Sequence, residues 1–171
     1  MSTWGRNNGE QSPKKNWSLE EARGKLETFC SYQERCVWEL RRKLFEKGVQ
    51  GAASEKIIAE LQANGFVDEE RFARSYARGK FRMKKWGKAR IRQELKLREI
   101  NASTIQKGLS EIDGEEYVTV LEREAEKKWE KTKETDAYKK RYLLTKYLMG
   151  KGFEQDLIQE ALSALISKEN T

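Results

Sequence analysis

The chain predicts an all-α protein: three tandem three-helix repeats in an elongated, curved array. Three observations carry this. Charged and apolar residues each make up 37% of the 171 residues and are interleaved along most of the chain, as in amphipathic helices. The single proline, Pro13, lies ahead of every helical pattern. The third observation is a recurrence. Leu40-x3-Leu44-x3-Gly48-Val49 is followed by Ile57-x3-Leu61. Ile91-x3-Leu95-x3-Glu99-Ile100 is followed by Ile105-x3-Leu109, and Leu144-x3-Leu148-x3-Gly152-Phe153 by Ile158-x3-Leu162. Ile91 lies 51 residues after Leu40, and Leu144 lies 53 after Ile91. Units of this size bury a core by stacking on their neighbours.

Residues 1–17 are polar and rich in Gly and Asn, and read as a disordered leader in which Trp4 has no assigned role. The first repeat covers 18–66. Ser18-Leu19-Glu20-Glu21 is a capping box that opens a helix to about Cys30, with Ala22, Leu26 and Phe29 inward. A second helix is predicted from Gln33 to Lys47, stopped at Gly48, and a third from Ser54 to Ala63, ended by Asn64-Gly65. The first repeat carries three extra residues in its second loop, around Gln50 to Ala53.

The second repeat covers 67–113. Asp68 caps a helix whose apolar face is expected to run through Phe72, Ala73, Tyr76, Ala77 and Met83. Trp86-Gly87 breaks it. The next helix, Lys88 to Arg98, buries Ile91 and Leu95, and Asn101 or Ser103 caps the third. The third repeat covers 114–168, with a long helix through Tyr117, Leu121 and Ala125, another from Thr135 or Asp136 to Gly150–Gly152, and a last one through Ile158 and Leu162.

Charge singles out the middle. Arg71 to Arg98 holds twelve Lys or Arg and one acid, Glu94, while the whole chain carries +7. Ser110 to Asp136 reverses the sign, with ten acids and five bases. A helix surface that is merely solvated usually mixes signs at i, i+4, as Glu39, Lys43 and Glu46 do. Near-uniform cations instead suit a phosphate-rich partner, whose binding releases counterions. The candidate contact residues are Arg74, Arg78, Arg82, Lys85, Trp86, Lys88, Arg90, Arg92 and Lys96. Tyr76, Phe81 and Trp86 are interleaved among them, where stacking on unpaired bases is available. Core packing is the competing assignment for Phe72 and Tyr76, and a place between repeats the competing one for Trp38 and Trp129.

Other chemistries find no support. There is no histidine, and Cys30 and Cys36 alone make neither a metal site nor a disulfide scaffold; they suit a reducing, cytoplasmic setting. Gly48, Gly51 and Gly65 follow helices and lack the strand-loop-Lys context of a phosphate loop. The acidic pairs sit at helix starts, where the macrodipole accounts for them. No secretory signal or membrane span is read, no cofactor is expected, and no catalytic constellation is seen. A helix-turn-helix reader fits the helix pattern, but nothing specifies base readout.

Three pieces in order carry a family resemblance: Leu40-Arg41-Arg42-Lys43-Leu44-Phe45-Glu46-Lys47-Gly48, Gly65-Phe66-Val67-Asp68-Glu69-Glu70-Arg71-Phe72-Ala73, and Gly87-Lys88-Ala89-Arg90-Ile91-Arg92-Gln93-Glu94-Leu95. Together they resemble the RecX regulatory proteins of bacteria over about Glu34 to Leu109, more weakly in the third repeat, and not before Ser18. The resemblance implies three tandem three-helix repeats and a partner, the RecA recombinase. It implies a seat in the groove of the RecA–single-stranded DNA filament, and modulation, usually inhibition, of RecA ATP hydrolysis, strand exchange and coprotease activity. It implies a regulator of DNA repair and not an enzyme; we expect a monomer. The chain departs from the pattern in its longer loop after Gly48 and in Arg98-Glu99-Ile100, which replaces a Lys-Gly-Ile-like stop and is expected to weaken that helix end. Two other readings stand beside this one: a general nucleic-acid-binding protein, and a helical adaptor for an acidic protein.

Overall fold

The computed structural model describes residues 16–171; the expected leader lies, up to position 15, outside the described residues. Among the described residues there are nine α-helices and no strand. The first repeat holds α1 (Leu19–Tyr32), α2 (Val37–Glu46) and α3 (Ala52–Ala63). The second holds α4 (Glu69–Lys84), α5 (Lys88–Leu97) and α6 (Ala102–Leu109), and the third α7 (Gly114–Lys131), α8 (Ala137–Lys151) and α9 (Gln155–Glu169).

Short polar side chains start most of these helices. Ser18, Asp68, Asn101, Asp113 and Asp136 each accept a hydrogen bond from the backbone N–H three residues on. A cap of this kind contributes about 1 kcal/mol. Two predicted starts move. α2 begins at Val37, not Gln33, because Cys36 holds an extended N-cap conformation and its N–H donates to the Glu39 carboxylate at 3.1 Å. α3 begins at Ala52, where Gly51 at φ +68° makes the turn that the predicted start at Ser54 overlooked.

The second helix of every repeat ends in the same way. Val49 N–H donates to Leu44 O, Ile100 N–H to Leu95 O and Phe153 N–H to Leu148 O, at 2.9, 3.2 and 3.2 Å. This is the Schellman closure, with its apolar contact buried in all three cases. The residue between takes a left-handed φ: +78° at Gly48, +59° at Glu99 and +97° at Gly152. The expected weakening at Glu99 is therefore a matter of strain, not of lost geometry: the stop forms without its glycine.

The core is divided unevenly. Leu26, Leu40, Leu44, Ile57 and Leu61 anchor one cluster inside the first repeat, and Trp17 packs on it while its N–H donates to Lys47 O at 3.0 Å. A second cluster runs without a break through the second and third repeats, from Phe72 and Ile91 to Leu144 and Leu162. The expected apolar face of α4 is corrected here. Phe81 is buried and Met83 is 81% exposed, because Phe72, Ala73, Ala77 and Phe81 follow the stripe that meets α6. Gly108 lets α6 approach closely: a Cβ there would lie 2.8 Å from Ala73 O.

The two junctions differ in kind. Between the second and third repeats, Gly87 N–H donates to Lys151 O at 2.7 Å and Ala89 N–H to Gly152 O at 3.0 Å. The N-terminus of α5 thus abuts the C-terminus of α8, and each helix satisfies orphan groups of the other. Tyr117 pins the same seam: it lies 5.8 Å from Phe81 and 5.3 Å from Phe153, donates to Glu154 at 2.6 Å, and accepts from Lys88 N–H at 3.0 Å. Between the first and second repeats, Cys36 is buried in the second cluster and Trp38 packs against it, and polar contacts add to these. Arg71 pairs with Glu34 at 2.7 Å, Arg41 reaches Glu99 at 3.5 Å, and Val37 N–H donates to Glu69 at 3.3 Å. Among the described residues no hydrogen bond or ion pair joins the first repeat to the third, as expected of a tandem array.

Candidate nucleic-acid interface

Helical spacing alone puts the cations of α4 and α5 on the protein surface, and the fold then sorts them into two groups. Arg74 and Arg78 are neutralised from outside the basic stretch. Arg74 contacts Glu70 at 3.0 Å and Glu111 at 2.9 Å, and Arg78 contacts Glu111 at 3.2 Å. Glu70 also takes Lys107 at 3.2 Å. Hydrogen bonds from Arg74 come first among the causes that hold both carboxyls below their ordinary range. The sequence left this cluster unseen because Glu111 is 37 residues from Arg74 along the chain.

The second group comprises Arg82, Lys85, Lys88, Arg90, Arg92 and Lys96. No carboxylate among the described residues lies within ion-pair distance of them. Arg82 and Lys96 are exposed and the others half-buried. Lys85 sits in a left-handed conformation at φ +56° and closes α4, so that Trp86 N–H turns back to Lys80 O at 3.3 Å.

Trp86 is half-buried between two cations. Arg90 lies 4.1 Å and Lys80 5.0 Å from its ring centre. The same association continues toward the first repeat. Lys80 lies 5.4 Å from Tyr76, Arg98 lies 5.0 Å from Tyr76 and 5.8 Å from Trp38, and Arg42 lies 4.6 Å from Trp38. The result is a band, Arg42–Trp38–Arg98–Tyr76–Lys80–Trp86–Arg90, that crosses the first junction. Each such pair contributes roughly 0.5–1 kcal/mol when exposed. The signal was present in the sequence as an aromatic residue followed four positions later by a cation: Trp38/Arg42, Tyr76/Lys80 and Trp86/Arg90. Phe81, offered as a stacking residue, is removed from the site by its burial.

A cleft of about 300 Å³ opens beside the band at the first junction, where Glu34 and Glu39 face Tyr76, Lys80 and Arg98. One oxygen of Glu34 and the Nε of Arg98 are buried there without a partner. Both signs of charge line this cleft, so it does not extend the cationic face. Cys30 and Cys36 take no part. Burial pushes their thiols up to about 11 and about 12, and both are free. Among the described residues no cluster of His, Cys, Asp or Glu fits a metal ion, and no helix is long and apolar enough to cross a membrane.

Fold and face together define a tandem helical-repeat protein with a cationic, aromatic-studded surface on its middle repeat. The chain belongs to the RecX family. The family's first, second and third three-helix domains match residues 22–61, 68–109 and 115–162. A protein named Regulatory protein RecX from Clostridium acetobutylicum is 35% identical over 136 residues, covering 77% of this chain and 63% of its own length. Its namesake from Pelodictyon phaeoclathratiforme is 32% identical over 128 residues, covering 75% of this chain and 78% of its own. The chain thus spans a little under two thirds of the first relative. A crystal structure of RecX from Lactobacillus salivarius superposes with a TM-score of 0.75 at 21% identity, covering 86% of this chain and 96% of that one. A second crystal structure of a regulatory protein RecX gives 0.72 at 22% identity, covering 82% and 71%. The two structures show the fold, and the relatives carry the name Regulatory protein RecX.

Proposed function

We propose that this chain binds the RecA–single-stranded DNA filament and restrains RecA, lowering its ATP hydrolysis, strand exchange and coprotease activity and so regulating DNA repair. It acts in the cytoplasm, as a monomer, by binding and not by catalysis. The observation that carries this reading is the unpaired cation group on α4 and α5, set on a repeat array that can lie along a polymer. Arg82, Lys85, Lys88, Arg90, Arg92 and Lys96 are the contact residues, with Trp86 among them. Arg74 and Arg78 contribute as well only where filament phosphates outcompete Glu70 and Glu111. Bridging neighbouring RecA subunits hinders the rearrangement that hydrolysis and filament growth require.

The test is binding to bare single-stranded DNA, to RecA alone and to the assembled filament, each at two salt concentrations. The proposal expects the filament to be preferred over either component, with affinity falling as salt rises, because exposed charges are screened beyond about 8 Å at physiological ionic strength. Equal affinity for bare DNA and filament would instead support a general nucleic-acid binder. Binding that ignores DNA altogether would support an adaptor.

A further inference from the structure

We infer that a lysine-rimmed pocket in the third repeat, between the C-terminal end of α7 and α8, is a contact for the phosphate backbone of single-stranded nucleic acid, separate from the face on the second repeat. The pocket encloses about 410 Å³ and is lined by Lys128, Lys131, Thr132, Leu143, Lys146 and Tyr147. No carboxylate lines it, although this repeat begins in the most acidic part of the chain.

The acids nearest in sequence, Glu130 and Glu134, do not line the pocket, and those ahead of Lys127 are engaged elsewhere. Glu124 is buried and takes Lys151 at 3.0 Å and Lys127 at 3.8 Å, and Glu126 takes Lys168 at 3.8 Å. Lys128, Lys131 and Lys146 have no carboxylate within ion-pair distance among the described residues. The negative end of α7 is partly covered as well: Thr132 donates its hydroxyl to Lys128 O at 2.6 Å and its N–H to Trp129 O at 3.2 Å. What faces the pocket is therefore net cationic.

The lining also identifies the partner. Three lysines are point charges without the planar fork that selects carboxylates bidentately, which suits phosphates read without sequence. Tyr147 and Leu143, the latter 44% exposed, form an apolar wall on which an unpaired base can lie; a duplex presents no such face. The Tyr147 ring already holds cations, with Lys128 at 4.6 Å and Lys151 at 5.7 Å. The second-repeat face also touches α8, since Arg90 donates to Gly150 O at 3.3 Å, one residue before Lys151. Tyr147/Lys151 is thus a fourth aromatic–cation pair at i, i+4.

The inference rests on the filament reading only for where the strand is met; strand contact itself is tested without RecA. A fluorescent oligo-thymidine is titrated with the full chain by anisotropy between about 50 and 200 mM salt. The K131E/K146E variant should bind about tenfold more weakly at the low-salt end, with its salt slope reduced by about 1.4, the share of two phosphates on a single strand. The K131R/K146R variant should bind as the parent does, which separates charge from folding. Two results would overturn the inference: an unchanged affinity and slope in K131E/K146E, or a parent chain that does not bind the oligonucleotide. Failure of the filament proposal reads differently. RecA ATP hydrolysis would then be untouched by the parent chain, whatever the anisotropy shows.

Discussion

At the scale of single residues, Glu99 is the most exposed point of the design. It holds a left-handed conformation where the equivalent positions carry Gly48 and Gly152. An L-residue there costs roughly 1–2 kcal/mol, and its one compensation is an exposed 3.5 Å pair with Arg41, worth at most about 1 kcal/mol. E99G should therefore raise stability by about 1 kcal/mol in urea unfolding, and a loss of stability would show that the pair outweighs the strain. The cysteines yield a pH prediction. Their folded thiols sit at about 11 and 12 against an ordinary 9.0, so their contribution is intact below about pH 9 and is lost as pH rises through the folded values. The C30A/C36A variant should lose less stability than the parent between pH 9 and 11; identical slopes would exclude the thiols as a cause. At neutral pH a thiol reagent should leave both cysteines unmodified in the folded chain. Individual residues were the least legible part of the sequence. Helical spacing located Arg74 and Arg78, but only the fold could bring Glu111 to them, and only burial could separate Phe81 from Trp86.

At the scale of elements, the Gly87–Gly152 contact decides how the second and third repeats meet. A Cβ on Gly87 would stand 2.2 Å from the Gly152 carbonyl, against backbone that cannot turn aside as a flexible side chain would. G87A should cost about 1–3 kcal/mol, as overpacking does, whereas G24A, inside α1 with nothing within 4 Å of its Cβ, should gain up to about 1 kcal/mol. Equal stability of the two variants would mean that the seam gives way freely. Element order and the three stops were legible in advance because two apolar residues four apart, a stop residue four further on and then an apolar residue form a local signal, closed by local hydrogen bonds. The starts of α2 and α3 were not. The first depends on Cys36 and on Glu69 from another repeat, the second on a glycine that looked like loop.

At the scale of the whole molecule, the sequence repeats three times but the core divides in two. The first repeat has its own cluster, and its Cys36 and Trp38 reach into the one that the second and third share. The period was readable because every repeat keeps the same buried pattern. The fusion was not, since it also needs Gly87 and Tyr117, which carry no periodic signal. The cationic face therefore sits on the two repeats that share a core, and the first repeat flanks it through the Trp38–Arg98 contact. The proposed contact lies on α4 and α5, and in particular on the cations with no carboxylate within ion-pair distance. The most direct measurement is inhibition of DNA-dependent ATP hydrolysis by RecA, comparing the parent chain with an R82E/R92E/K96E variant whose helicity matches it by circular dichroism. The account predicts that the parent inhibits and that the variant requires at least about tenfold more protein, one decade for 1.4 kcal/mol of lost contact. Superimposable inhibition curves would contradict it.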